Sequence, residues 1–61
     1  MDEKKYKRMR THLFRILGGG KLKNFAALES DYEAKLVFEI FDAPEVDIYK
    51  VYMEWLDLQE S

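Results

Sequence analysis

The sequence predicts a small all-α domain, a bundle of three or four helices, and three observations carry that prediction. Apolar residues recur at three- and four-residue steps near both ends of the chain. Two clusters, Ser30-Asp31-Tyr32-Glu33 and Asp42-Ala43-Pro44-Glu45, have the chemistry of helix starts. Gly18-Gly19-Gly20 separates the first periodic segment from the rest. The expected helices cover about 3–17, 22–29, 31–41 and 43–59, of which 22–29 is the optional one.

In residues 3–17, Tyr6, Met9, Leu13, Ile16 and Leu17 fall on one face, while Lys4, Arg8, Thr11 and Arg15 fall opposite. That is amphipathic spacing. Asp2 and Glu3 complement the positive end of the helix dipole, and glycine commonly ends a helix by taking positive φ. Residues 21–29 are ambiguous. Leu22, Phe25 and Leu28 fit one side of a short helix or the first strand of a hairpin.

Ser30 with Glu33 matches a capping box, in which serine accepts from the third amide and glutamate reaches back. Beyond it, Asp31, Lys35, Glu39 and Asp42 form one polar arc at steps of four, four and three, which a strand would not produce. Leu36-Val37-Phe38 and Ile40-Phe41 are nonetheless strand formers. The alternative fold is therefore α+β, with a hairpin at about 21–41 between two helices. In 43–59, Asp42 is expected to cap, Pro44 lies where no amide donor is needed, and Glu45 completes the box. The polar stripe of this segment is Asp47, Lys50, Glu54 and Asp57, with Lys50 and Glu54 spaced to pair. Its apolar positions cover well over half the circumference, more than the ~100° stripe a surface helix needs.

Sixty-one residues make a single domain, 1–61, that buries only roughly 60% of its unfolded surface. No cysteine is present, so neither a disulfide nor a thiolate metal site supports it. The 48% hydrophobic and 36% charged composition suits a folded chain. No stretch reaches the ~18 apolar residues of a membrane span, and the start of the chain lacks the apolar region of a secretory signal. An intracellular, cytoplasmic location is expected.

Catalytic equipment is sparse. His12 is the single histidine, and the serines are Ser30 and Ser61. No nucleophile–base–orienter set assembles from them, so an enzyme is not expected. Zinc spacing and the EF-hand pattern are absent, and no cofactor or small-molecule substrate is implied. Gly18-Gly19-Gly20-Lys21 is not a phosphate loop, because a basic helix precedes it and Leu22 follows the lysine.

What remains is binding. The leading expectation is a non-enzymatic protein-interaction module, a small regulator, inhibitor or adaptor. Tyr49, Tyr52, Met53, Trp55 and Leu56 of the C-terminal helix would anchor a protein partner or a second copy. The alternative rests on charge. Residues 1–24 carry eight Lys/Arg and two Asp/Glu, whereas residues 25–61 carry two Lys and ten Asp/Glu. Lys4, Lys7, Arg8, Arg15, Lys21 and Lys23 would then contact nucleic acid through its phosphates. A third expectation is an acidic nucleic-acid mimic, with Asp31/Glu39/Asp42 and Asp47/Glu54/Asp57 occupying a basic groove. The plainer account of the asymmetry is a basic helix lying beside acidic ones within the fold.

Overall fold

A computed structural model describes residues 2–19 and 24–60 of the chain. They form α1 (Glu3–Leu17), α2 (Phe25–Ser30), α3 (Tyr32–Phe41) and α4 (Glu45–Glu60). Among the described residues no strand occurs, so the hairpin alternative is overturned from Phe25 onward. The step-of-four arc on α3 outweighs its strand-forming composition because it lets one apolar face close on α1.

α1 is the hub, packing against both α3 and α4, while α2 packs against α3. Met9, Leu13 and Leu17 of α1 meet Leu28, Ala34, Ile48, Val51 and Tyr52 in one core. Phe25 of α2 reaches α4, its ring 5.1 Å from that of Tyr49 and 5.8 Å from that of Tyr52. The radius of gyration, 10.6 Å, equals the ~10.5 Å expected of a compact chain of this length.

The helix ends differ in detail from the sequence expectation. Ser30 is the last residue of α2, not a cap. Asp31 caps α3 instead, its Oδ2 accepting from the Ala34 amide at 3.0 Å. The cap slides by one residue because Asp31 is the one held extended, at φ −69° and ψ 132°. Asn24 caps α2 in the same way, accepting from the Ala27 amide at 2.8 Å.

Asp42 does not start α4 but stops α3. It takes the left-handed conformation, φ 48° and ψ 50°. The Ala43 amide donates to the Phe38 carbonyl and the Asp42 amide to the Glu39 carbonyl. This is a Schellman stop with aspartate in the seat glycine usually takes. α4 therefore begins at Glu45, with the Pro44 carbonyl accepting from the Asp47 and Ile48 amides. α1 ends at Leu17, where the glycine triplet was expected to stop it, and Gly18 caps it in the right-handed conformation, φ −63°. Gly20 lies outside the described residues.

Candidate interaction surfaces

α4 turns Ile48, Val51 and Tyr52 to the core and leaves Val46, Tyr49 and Met53 at 72%, 50% and 41% exposure. At 100° per residue the exposed three lie within one sector, opposite Val51 and Ile48. Of the five anchors expected from sequence, Tyr49 and Met53 stand on this outward face. Trp55 and Leu56 are half-buried, and the Trp55 ring lies 5.5 Å from that of Phe14. Tyr52 is a correction. It is 6% exposed and belongs to the core, because α1 and α2 converge on that side of α4. Val46 is the member the sequence reading missed, although its spacing to Tyr49 and Met53 carried the signal.

The polar stripe of α4 is also corrected. Glu54 does not face solvent alone but accepts a 2.9 Å hydrogen bond from the Tyr6 hydroxyl and sits 3.5 Å from Arg10. Lys50 does not pair with it. The Lys50 ammonium lies 5.0 Å from the centre of the Tyr6 ring, a cation–π distance. Asp47 is half-buried, and its Oδ2 is covered with no hydrogen-bond partner among the described residues. Of the acidic stripe Asp47/Glu54/Asp57, Asp57 is exposed and the other two are half-buried. Burial, then the hydrogen bond to Glu54 and its charge, push the Tyr6 phenol up to about 12.

The basic residues of α1 divide by face. Arg10 turns inward, stacking 5.9 Å from the centre of the Phe14 ring as well as meeting Glu54. Lys4, Lys5, Lys7, Arg8 and Arg15 are exposed. Lys7 pairs with Glu3 on its own helix at 3.6 Å, an exposed i,i+4 pair of small worth. Lys4, Lys5, Arg8 and Arg15 make no ion pair among the described residues. The charge asymmetry is therefore mostly a surface property: Arg10–Glu54 is the single ion pair between helices among the described residues. Lys21 and Lys23 lie outside the described residues.

Four of the exposed cations, with Asp2, Ile40 and Phe41, line an open groove of about 560 Å³ where the start of α1 meets the end of α3. Phe41 is half-buried there, its ring 5.7 Å from that of His12. A second hollow, about 500 Å³, lies among Arg10, Phe14, Glu54, Asp57 and Leu58. No group of three or more His, Asp or Glu able to hold a metal ion occurs among the described residues. No described helix is long and apolar enough to cross a membrane. No family model, curated protein or solved structure matches the chain.

Proposed function

We propose that the chain is a non-enzymatic protein-interaction module of the cell interior, docking a protein partner or a second copy through the outward face of α4. The observation that carries this reading is the exposure of Val46, Tyr49 and Met53 together on one helix face. Large apolar side chains grouped on so small a surface favour a covered state. Tyrosine is enriched among residues that dominate interface energies, and methionine adapts to irregular partners. Tyr49 is the central anchor, steadied from behind by the edge of Phe25.

The test is site-specific photo-crosslinking from position 49 in cells expressing the chain, with light scattering of the purified protein across concentration. Discrete adducts, to itself or to another protein, should form from position 49 and disappear when Met53→Asp is added. Binding through this face should hold or strengthen slightly with added salt, since apolar burial is not screened. Adducts indifferent to Met53→Asp would remove α4 as the docking face. Binding to an oligonucleotide that falls steeply with salt would favour the basic face of α1 instead.

A further inference from the structure

The outward face of α4 has the spacing of a coiled-coil seam. Val46, Tyr49, Met53 and Leu56 follow one another at steps of three, four and three. Such steps average about 3.5 residues, the repeat that keeps one seam against a neighbouring helix over successive turns. Val46 and Met53 take the a positions of the heptad, and Tyr49 and Leu56 the d positions. The first three are exposed and Leu56 is half-buried. Charges bracket the seam. Glu45 stands at the g position on one flank, Lys50 and Asp57 at the e positions on the other, and all three are exposed. The next a position is Glu60, the last residue of α4, so the apolar seam runs from Val46 to Leu56, about 15 Å.

Resting on the α4 reading, we propose that the occupant of this face is a second copy of the chain, docked as a parallel helix pair with two-fold symmetry. In a parallel pair each g residue faces the e residue five positions on in the neighbouring helix. Glu45 of each copy then faces Lys50 of the other, and the symmetry makes that attraction twice. Asp57 faces Tyr52, which is uncharged and turned to its own core, so no like charges meet along the flanks. An antiparallel pair laying Val46 on Leu56 and Tyr49 on Met53 would bring the two Lys50 side chains together instead. The face therefore supplies both the acid and the base that complete it, and it does so in one orientation. Valine at a with leucine at d, the pairing of Val46 and Leu56, favours two strands. In the single chain the Lys50 ammonium rests over the Tyr6 ring, and turning its exposed, flexible stem to the seam gives up only that cation–π contact. A coil this short would not form from free peptides, but α4 is already held helical by its packing on α1.

The experiment is sedimentation equilibrium of the full chain, with thiol crosslinking to read the orientation. The chain should dimerise, and Met53→Asp should weaken the dimer by about a hundredfold by setting two carboxylates in the seam. Glu45→Lys and Lys50→Glu should each weaken it by about tenfold, since each turns two attractions into two repulsions. An equimolar mixture of those two variants should dimerise again, which also shows that both are folded. Orientation is read from Val46→Cys, the sole thiol in a chain without cysteine. Parallel helices place the two thiols face to face, and mild oxidation should link the dimer. Antiparallel helices place them about 15 Å apart, beyond the reach of a disulfide. A chain that stays monomeric up to about 1 mM, the weak end of measurable affinity, would overturn the proposal. If position 49 then still crosslinks to another protein and loses it with Met53→Asp, the α4 face stands and only its occupant is wrong. A dimer indifferent to Met53→Asp would overturn this proposal and the α4 face together. A mixture of the charge variants that stays monomeric, or unlinked Val46→Cys thiols in a dimer, would overturn the parallel pair.

Discussion

Tyr6 shows how one side chain can reassign a whole stripe. Its hydroxyl donates to Glu54 while its ring faces the Lys50 ammonium, so α4 turns part of its polar face toward α1 rather than toward water. From sequence, Lys50 and Glu54 looked like partners. In the structure each finds Tyr6, because the tyrosine offers a donor and a π face at the same place. The pH consequence follows from its raised titration. Below pH 10 the phenol is neutral whether folded or unfolded, and its contribution to stability is fully present. As pH rises from 10 toward about 12 the unfolded chain gives up the proton while the folded chain retains it, and that contribution is lost. Thermal melts should therefore show an alkaline fall in stability across that window. Tyr6→Phe should flatten it and cost about 1 kcal/mol at neutral pH, the scale of a partly exposed hydrogen bond.

At the scale of the element, long helices were legible and short joints less so. α1 agrees with the expected 3–17 because five apolar side chains keep the helical step through four turns. α2 has only six residues, too few for periodicity to separate helix from strand. It persists because Leu28 is fully buried and Phe25 stacks on α4, while a helix so short has no stability alone. The caps were legible in kind but not in register. Ser30 and Asp31 are adjacent and both cap-competent, and which one accepts depends on which is held extended between α2 and α3. Asp31→Ala should cost about 1 kcal/mol and Ser30→Ala only a few tenths, measured by denaturant midpoint. A larger loss at Ser30 would restore the capping box expected from sequence. Asp42 was misread for a related reason: the same short polar side chain suits a helix start and a left-handed stop.

Across the whole molecule, small size sets the balance between core and surface. Among the described residues eight make the buried core, so half-buried aromatics at its edge contribute in proportion. Trp55 is one of these. It lies on Phe14 at 5.5 Å, and its outer ring atom would stand 3.8 Å from a Cβ at Gly18. Trp55→Ala should therefore lower stability by about 2 kcal/mol, a fall of about 10 °C in Tm for so small a domain. A variant that melts normally would show that Trp55 belongs to the docking face expected from sequence, and not to the packing of α1 on α4.

The sequence by itself determined that the long segments at the two ends of the chain are helical, because a period of three to four residues is written directly into the order of their apolar and polar side chains. It also determined that positive charge gathers on α1 and that α4 carries more apolar surface than one flank can hide. Only the tertiary structure decided which part of that surface is hidden. Tyr52 goes to the core while Tyr49 stays out, and Arg10 turns inward while Arg8 does not. Periodicity gives the angle between two side chains on one helix. It does not give the direction from which the next helix arrives, and burial, ion pairing and the composition of each groove depend on that direction.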